Sequence, residues 1–494
     1  MITRRGFVRG LAAGALAMPS LVGRASALEA VPLSVPPLID TTKTGGRFAI
    51  TAKQARHSFL PGKPTSTFGY SASYLGPTLR VRRGDKVAVD FTNQLGRLTT
   101  VHWHGLKVPG NVDGGPHNKV LSGRSWKPVL EIDQPATTAW YHPHPHGETA
   151  YQVYGGLAGM IIIDDDVSSK LPLPSNYGID DLPLVIQDRS FASDGGLLYG
   201  QSPMTTMMGS YGDTVIVNGA IRPRAVVPAG LVRLRILDGA NARVFRLGFS
   251  DGRKFHVIAS DGGLLAAPVE LNELTIAPGE RYEIVVDFSN GRAADLVSLD
   301  ADTGFRGPGM MGMMMGGTRQ QGAGPILHFA PDKSRPGTGR LPDRLANVPD
   351  FQIPGAVRRR FLSLDMMMGM GGMMGGSMMG QRGGGAALGI NGRAFDMERI
   401  DFRTAIGKPE LWNIRANMMG HPFHVHGTLF RILRLNGRRP PAQQAGWKDT
   451  VYVTGEAEIL ATFDKAASEQ APYMFHCHIL EHEDGGMMGQ FTAA

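Results

Sequence analysis

Four short motifs in this sequence place histidines two residues apart. They lie at residues 102–104, 142–144, 424–426 and 476–478. On a β-strand, residues i and i+2 share a face and stand about 6.5 Å apart, so two such imidazoles can each bind a different ion of one metal cluster. Eight histidines match a cluster of three ions, in which two ions take three ligands each and one takes two. They are His102, His104, His142, His144, His424, His426, His476 and His478.

A second set of metal ligands surrounds the only cysteine of the chain. Cys477 is followed by His482 and Met487, and His421 is available from the preceding motif. Two imidazoles, one thiolate and a weak axial thioether make up a blue-copper electron-transfer site. Because side chains alternate along a strand, Cys477 faces away from its two histidine neighbours, and one strand therefore joins this site to the cluster through bonds.

Four copper ions suit the chemistry of dioxygen, because its reduction to two waters takes four electrons. Zinc is the rival metal for clusters of histidine and cysteine. It has no redox role, however, and its sites rarely gather eight histidines beside a Cys-His-Met chain. The ligand pattern therefore favours copper.

Alternating sequence patterns indicate the elements that must position these ligands. Apolar and polar residues alternate at 87–91, 232–236 and 282–288, which is typical of half-buried strands. The 494 residues include 66 glycines and 33 prolines, which favours turns over long helices. We therefore predict an all-β protein of sandwiches or barrels.

A unit of glycine, alternating strand and asparagine occurs three times, at 84–93, 230–241 and 407–417. The first and third copies lead into histidine motifs, whereas the second does not. The repeat predicts three β domains of similar plan, of which the middle one is scaffold only. The predicted domains are residues 28–170, 181–335 and 350–494, joined by proline-rich connectors at 171–183 and 331–354, with a methionine-rich insert at 366–380 in the third.

The amino-terminal residues have the pattern of an export signal. A basic start containing Arg4 and Arg5, a short apolar run and a small-residue cleavage pattern occupy residues 1–27. The paired arginines resemble a twin-arginine signal, which predicts use of that export machinery and a periplasmic mature protein from Leu28. An ordinary secretory signal is the alternative. A lone thiol in an exported protein needs protection, and a bound metal would supply it.

Charge and hydropathy exclude two classes of partner. The net charge is +8, but four arginines fall in the first 27 residues, which contain no acid, so +4 remains on the other 467. We therefore expect no binding of nucleic acid. After residue 30 no stretch of 18 or more apolar residues occurs, so we expect no stable membrane insertion. We also expect a monomer.

The four histidine motifs resemble those of the multicopper oxidases, and among them the periplasmic cuprous oxidases of copper tolerance are the most similar. The resemblance runs through nearly the whole chain, including residues 112–116, 259–265 and 445–450. It implies three cupredoxin-like Greek-key domains and four coppers: one type 1, one type 2 and two type 3. It also implies that His102 and His424 bind the type 2 copper and that the other six cluster histidines bind the type 3 pair.

The resemblance further implies that Asp113 and Glu483 supply protons during dioxygen reduction. Glu483 follows the predicted type 1 ligand His482 directly. Judged from the residues alone, either acid is equally compatible with a structural turn.

Methionine occurs 25 times, and 13 of these residues fall in two tracts at 310–315 and 366–379. Thioethers prefer Cu(I), and a packing role would need a periodicity that these glycine-diluted tracts lack. We therefore predict capture of Cu(I), with a flexible apolar lid as the alternative. The resemblance implies that the insert recruits Cu(I) and restricts bulky substrates.

The insert departs from the family pattern, because it contains no histidine. In addition, Asn417 stands where the family places a second acid of the substrate-copper site, and an amide binds Cu(I) less well than a carboxylate. The candidate residues for substrate Cu(I) are Asp365, Met366, Met367 and Met419.

The predicted function is oxidation of Cu(I) coupled to reduction of O2 to water. One alternative is a laccase-type oxidase of phenols or of Mn(II) or Fe(II). Another is a copper-binding buffer without oxidase activity. A third is a copper-free cupredoxin scaffold, as in some multicopper-like division proteins, but such a scaffold would lack the ligands and this sequence has all twelve.

Overall fold

The computed structural model describes residues 31–200, 202–304, 319–349, 353, 355–366 and 388–494. Residues 1–27, Met367 and nearly all of the methionine tracts lie outside this set, so the predictions made for them stay predictions. The fold is mainly β, as predicted, and its strands form pairs of sheets that follow one another along the chain.

The strands of the first domain build two sheets around one core. They are β1 (Leu38–Asp40), β2 (Arg47–Leu60), β3 (Lys63–Tyr70), β4 (Thr78–Arg82), β5 (Lys86–Gln94), β6 (Ser125–Trp126), β7 (Val129–Glu131), β8 (Thr137–Tyr141) and β9 (Gly159–Asp164). Their orders are β1-β4-β9-β8 and β3-β2-β5-β6, with β7 also paired to β5. Two short helices, α1 (Gly110–Asp113) and α2 (Thr149–Gly155), and a 3-10 turn at Ser168–Lys170 lie between or after these strands.

The middle domain has the largest sheet, with seven strands. Its strands are β10 (Asp181–Arg189), β11 (Thr214–Val217), β12 (Ala220–Ile221), β13 (Arg224–Ala229), β14 (Leu231–Asp238), β15 (Phe245–Phe249), β16 (Phe255–Ser260), β17 (Gly263–Leu271), β18 (Glu273–Ile276), β19 (Arg281–Asp287), β20 (Ala294–Leu299), β21 (Ala301–Asp302), β22 (Arg319–Gln320) and β23 (Gly324–Pro336). The orders are β12-β11-β10-β14-β19-β16-β17 and β13-β23-β20-β15-β18, beside the small pair β21-β22. Helix α3 (Pro203–Met208) precedes β11.

The third domain has two five-stranded sheets. Its strands are β24 (Arg358–Met366), β25 (Leu388–Ile390), β26 (Phe402–Thr404), β27 (Glu410–Ala416), β28 (His421–Val425), β29 (Arg431–Leu435), β30 (Thr450–Val453), β31 (Glu456–Ala461), β32 (Tyr473–Cys477) and β33 (Met488–Ala493). The orders are β25-β24-β27-β31-β29 and β26-β33-β32-β28-β30. A 3-10 turn at Ala442–Gln444 precedes β30, and helix α4 (Leu480–Asp484) connects β32 to β33.

The three repeated units of the sequence are equivalent strands in the structure. They contain β5, β14 and β27, and each of these pairs in parallel with an earlier strand: β2, β10 and β24, respectively. Each also pairs antiparallel with a later strand: β7, β19 and β31. Each domain has its own buried apolar cluster between its sheets. The similar plan is therefore real, whereas the exact domain boundaries stay a prediction.

Two details differ from the expected organisation. The expectation of half-buried strands is wrong for β14 and β19, because most side chains on both faces are buried. Arg235 is buried because it pairs with Asp181 (Nε to Oδ1, 2.7 Å) and Glu283 (Nη1 to Oε1, 2.9 Å) beneath the first domain. The predicted connector at 331–354 also begins as strand, because β23 continues to Pro336.

No helix among the described residues is long and apolar enough to cross a membrane.

Candidate metal centres

The four histidine motifs occupy equivalent places in the first and third domains. In the first, His102 and His142 form an antiparallel bridge with N–O distances of 2.8 and 3.1 Å. In the third, His424 of β28 lies opposite His476 of β32 in the same antiparallel manner. Each domain therefore brings its two motifs together, and all eight rings meet in one buried region between the domains.

Two histidines are held with one ring nitrogen free. Nδ1 of His102 donates to the main-chain oxygen of Asp113 (2.9 Å), and Nδ1 of His424 donates to that of Asp449 (2.8 Å). In both rings Nε2 is buried and has no hydrogen-bond partner among the described residues. A carbonyl fixes the proton on Nδ1, so each Nε2 presents a lone pair. These are the two predicted type 2 ligands, and their orphaned nitrogens fit one metal ion.

A second group consists of His144, His426 and His476. Nε2 of His476 lies 3.2 Å from Nε2 of His144 and 3.2 Å from Nε2 of His426. The opposite nitrogens face acceptors: Nδ1 of His426 donates to Oδ2 of Asp113 (2.7 Å), and Nδ1 of His476 donates to the Cys477 carbonyl (3.0 Å). Three unprotonated nitrogens that converge in this way fit a cation.

A third group consists of His104, His142 and His478, whose ring centroids are 5.1 to 5.5 Å apart. Nδ1 of His142 donates to the Pro143 carbonyl (2.9 Å), which leaves its Nε2 facing Nδ1 of His104 at 3.4 Å. Both nitrogens of His478 are buried without a hydrogen-bond partner among the described residues. Orphaned buried nitrogens are costly, and a metal ion here would satisfy them.

The electrostatics of this region keep the rings uncharged. Burial is the main cause that lowers the pKa of seven of the eight histidines, to about 3 for His478. Neighbouring imidazoles lower these pKa values further, because two cations so close would repel each other. These seven rings are therefore neutral at pH 7, the state in which histidine binds metals.

The predicted blue-copper ligands also come together. Nδ1 of His421 lies 3.3 Å from Sγ of Cys477 and 3.3 Å from Nδ1 of His482, and Sγ to Nδ1 of His482 is 3.6 Å. Nε2 of His482 donates to the Met207 carbonyl (3.0 Å), which turns Nδ1 toward the sulfur. Burial raises the pKa of the Cys477 thiol, so a thiolate here needs a bound cation.

Met487, the predicted axial ligand, is fully buried beside this group. Its main-chain nitrogen donates to the His482 carbonyl (2.8 Å), and its main-chain oxygen accepts from the Cys477 nitrogen (3.1 Å). The backbone therefore anchors Met487 to two of the other ligands. His421, Cys477 and His482 come together, Met487 is joined to them through the backbone, and the binding of an ion by this set stays a prediction.

Both predicted proton donors contact cluster histidines. Asp113, at the end of α1, accepts from His426, and its other oxygen Oδ1 is buried without a hydrogen-bond partner among the described residues. Glu483, in α4, lies 3.3 Å from Nδ1 of His144 and 3.2 Å from Nδ1 of His476. Burial, and next the charge of Asp484, raises the pKa of Glu483 well above its usual value. The sequence placed Glu483 next to His482, but its carboxylate faces the cluster.

The residues proposed for substrate Cu(I) are only partly together. Asp365 ends up beside Asn417, whose Nδ2 donates to its Oδ1 (3.0 Å) because β24 and β27 run in parallel register. Met366 and Met419 are buried in the core of the third domain, although Met419 also lines a cavity of about 440 Å³. The Asn417 carbonyl, in the same cavity wall, lies 3.4 Å from Nε2 of His421.

Sequence reasoning missed two residues at the cluster. Oδ1 of Asp449 accepts from Nε2 of His104 (3.0 Å), and Arg281 of the middle domain donates to the same carboxylate (Nη1 to Oδ1, 2.7 Å). Asp449 belongs to the segment 445–450 that carried part of the family resemblance, which was a usable signal. Arg281 begins an ordinary alternating strand, and nothing in its local pattern distinguishes it.

Comparison with known proteins agrees with this geometry. Models of the multicopper oxidase family match residues 51–168, 190–295 and 366–494. The multicopper oxidase mco of Staphylococcus aureus is 35% identical, over 93% of this chain and 91% of that protein. The chain belongs to the multicopper oxidase family. The cupredoxin-like fold expected from the motifs is thereby confirmed, and copper is the metal that the family membership implies for the histidine groups.

Two further relatives point in different directions within the multicopper oxidases. The laccase-like multicopper oxidase CueO of a lignin-degrading Ochrobactrum, described as having oxidase activity towards lignin model compounds, superposes with a TM-score of 0.83. It is 41% identical and covers 94% of this chain and all of that one. Cell division protein FtsP of Escherichia coli K12 is 37% identical, over 99% of this chain and 98% of that protein.

Proposed function

We propose that this multicopper oxidase oxidises Cu(I) one electron at a time and reduces dioxygen to water. The observation that carries the proposal is the arrangement along β32. Sγ of Cys477 lies with His421 and His482, whereas the rings of His476 and His478 belong to the histidine cluster. One short stretch of backbone therefore links a site suited to accepting electrons with a site suited to storing them.

The donor sets fit four copper ions: one type 1, one type 2 and two type 3. When bound, these ions supply the one-electron redox chemistry and hold the electrons that dioxygen needs. His102 and His424 would hold the type 2 ion, and His421, Cys477, His482 and Met487 the type 1 ion. Each type 3 ion would be held by three histidines, namely His144, His426 and His476 or His104, His142 and His478.

The chain itself handles protons and shields the cluster from water. Forming two waters consumes four protons, and the seven cluster histidines whose pKa is lowered are neutral at pH 7 and cannot provide them. Glu483 lies against His144 and His476, and burial raises its pKa well above its usual value, which favours the protonated form that a proton donor needs. Oδ1 of Asp113 is buried and has no hydrogen-bond partner among the described residues. We propose these two acids as the proton carriers.

The substrate would reach His421 rather than the buried cluster. The cavity beside Asn417, Met418 and Met419 borders that side of the type 1 site, and thioethers suit Cu(I). A phenol oxidase is the second candidate, favoured by the Asp365–Asn417 pair. Asn417 donates a hydrogen bond to Asp365, so this place offers one carboxylate, whereas a strong cation site would offer two. An uncharged aromatic substrate does not need a second carboxylate.

A copper buffer or a copper-free scaffold explains less of the geometry. A buffer needs no bonded path between two copper sites, and a scaffold needs neither the orphaned nitrogens of His102, His424 and His478 nor their burial. The similarity to FtsP supports the fold and leaves the reaction open. We further propose that the enzyme acts as a monomer in the periplasm after export through the twin-arginine machinery.

Oxygen uptake by the copper-loaded enzyme tests the substrate. It is measured with Cu(I) and with a phenol for three chains: native, lacking residues 367–380, and carrying leucine at every methionine of that segment. Cu(I) preference that both variants lose supports a copper-recruiting role of the sulfurs. Phenol preference in the native chain, unchanged in both variants, would instead assign the enzyme to the laccase type.

A further inference from the structure

We propose that the middle domain, which holds no predicted ligand, positions one of the two three-histidine sites. Arg281 acts on His104 through Asp449, and Gly279 acts on His478. The inference rests on the proposed function only in that both histidines belong to a copper site. It assigns positioning roles to a domain that had appeared to be scaffold alone.

The Arg281 guanidinium ties the three domains together at the cluster. It donates to both carboxylate oxygens of Asp449 in the third domain, and through Nε to the Thr138 carbonyl of the first domain (3.0 Å). It also donates to the carbonyls of Gly279 (2.9 Å) and Asp261 (3.0 Å) in its own domain. The side chain is fully buried, so this fork has one fixed geometry.

The Asp449 carboxylate, bound by Arg281, determines the orientation of the His104 ring. Because Asp449 accepts from Nε2, the lone pair of His104 lies on Nδ1, which faces Nε2 of His142 at 3.4 Å. His102, His142, His424, His426 and His476 have the opposite arrangement, with Nδ1 on an acceptor and Nε2 toward the cluster. Among these rings, His104 is the one that presents Nε2 to the Asp449 carboxylate, whereas His424 uses the main-chain oxygen of the same residue and has Nδ1 3.5 Å from Oδ1.

Space for this ion pair comes from the glycine after His104. A Cβ on Gly105 would lie 2.6 Å from Nη2 of Arg281 and 2.8 Å from Oδ2 of Asp449. The residue also has a φ of +89°, which favours glycine. The glycine of the first histidine motif is thus explained by a contact with the middle domain.

His478 depends on packing instead of hydrogen bonds. Neither of its nitrogens has a hydrogen-bond partner among the described residues. Gly279, with a φ of +83°, lies so close that a Cβ would stand 2.8 Å from Cδ2 of the ring. Gly279 therefore packs against the side of the His478 ring formed by Cδ2, Cγ and Nδ1, where a larger residue would displace the ring.

The site of His144, His426 and His476 is held differently. Nδ1 of His426 donates to Asp113 of the first domain and Nδ1 of His476 to the Cys477 carbonyl of the third, while Glu483 lies 3.3 Å from Nδ1 of His144. A change at Arg281 should therefore weaken one three-histidine site and spare the other, as well as the type 1 site.

The test compares Arg281→Gln with a matched control, Arg235→Gln. Arg235 is also a buried arginine of the middle domain, paired with Asp181 and Glu283, but it contacts none of the predicted copper ligands in the described residues. Both variants lose a buried ion pair and should be similarly destabilised. The measurements are copper per chain, the blue absorption of type 1 copper and the share of copper visible by electron paramagnetic resonance.

We expect Arg281→Gln to hold about three coppers, because loss of such a partner lowers metal affinity by roughly 10- to 100-fold. Its blue absorption should persist, and its paramagnetic share should rise because one type 3 ion loses its coupled neighbour. Arg235→Gln should keep the native copper content, and Arg281→Lys should recover part of the loss. Equal copper content and equal spectra in Arg281→Gln and Arg235→Gln would overturn the proposal.

Gly279→Ala decides the matter if Arg281→Gln fails to fold, because it removes no ion pair and its Cβ would force the His478 ring to move. We expect the same selective loss, and a native copper content and spectrum would overturn the proposal. A native chain that binds no copper would instead contradict the proposed function itself. Native loading together with unaffected variants would contradict only the role of the middle domain.

Discussion

Replacing Asp113 by asparagine separates the two roles that its carboxylate can have beside the cluster. Oδ2 accepts from Nδ1 of His426 at 2.7 Å, whereas Oδ1 is buried without a hydrogen-bond partner among the described residues. The main-chain oxygen of Asp113 also accepts from Nδ1 of His102 (2.9 Å) and is untouched by the change. An asparagine oxygen can keep the bond to His426, but the side chain can no longer carry an exchangeable acidic proton.

The two roles predict losses of different size. A charge-assisted hydrogen bond contributes about 1.5–3 kcal/mol and a neutral one about 0.5–1.5 kcal/mol, so the bond to His426 weakens by roughly 1–1.5 kcal/mol. That difference corresponds to about a tenfold loss of copper affinity. Removing a positioned proton donor costs about 10²- to 10⁴-fold in rate. Turnover should therefore fall far more than copper binding.

The assay measures oxygen uptake and copper per chain after loading with excess copper. Asp113→Asn should reach the native copper content and turn over at least about 100-fold more slowly. Asp113→Ala, which removes the acceptor as well, should lose both copper and turnover. A fully loaded Asp113→Asn enzyme with the native rate would refute the proton role and leave Asp113 as a positioning residue only.

Three further outcomes follow from the same geometry. Cys477→Ser should abolish the blue absorption and the oxidation of Cu(I) while the cluster keeps its copper; a persistent blue band would contradict the assignment. Asn417→Asp, which sets a second carboxylate about 3 Å from Asp365, should lower KM for Cu(I) several-fold more than for a phenol; an unchanged ratio would exclude that site. Burial lowers the pKa of His482 to about 4, below its unfolded value of about 6.5. The copper-free chain should therefore be most stable above pH 6.5. Between pH 7 and pH 5 its free energy of unfolding should fall by about 2 kcal/mol through His482 alone. Equal midpoints of urea unfolding at the two pH values would contradict this.

Spacing in the sequence predicted that the candidate ligands come together, because the spacing of side chains along a strand is a local pattern. Cys477 and its two histidine neighbours already imply two sites on opposite faces of one strand, and the structure has that arrangement. The repeated unit likewise predicted equivalent strands, because a glycine turn, a period of two and a terminal asparagine are local signals.

Features that depend on contacts between domains could not be predicted. The ring orientation of His104 depends on Asp449, which is 345 residues away, and on Arg281 from another domain. The burial of Arg235 follows from the first domain covering β14, whereas its local pattern indicates a solvent-facing position. In each case a long-range partner decides the environment of the side chain, and local periodicity contains no information about that partner.

The ratio of Cu(I) oxidised to oxygen consumed tests the central claim most directly. It is measured with the copper-loaded native enzyme, together with an assay for hydrogen peroxide. If the linked sites reduce dioxygen fully to water, four Cu(I) ions are oxidised for each O2 and no peroxide accumulates. Copper that stays bound without oxygen uptake, or peroxide formed in proportion to the oxygen consumed, would contradict the account.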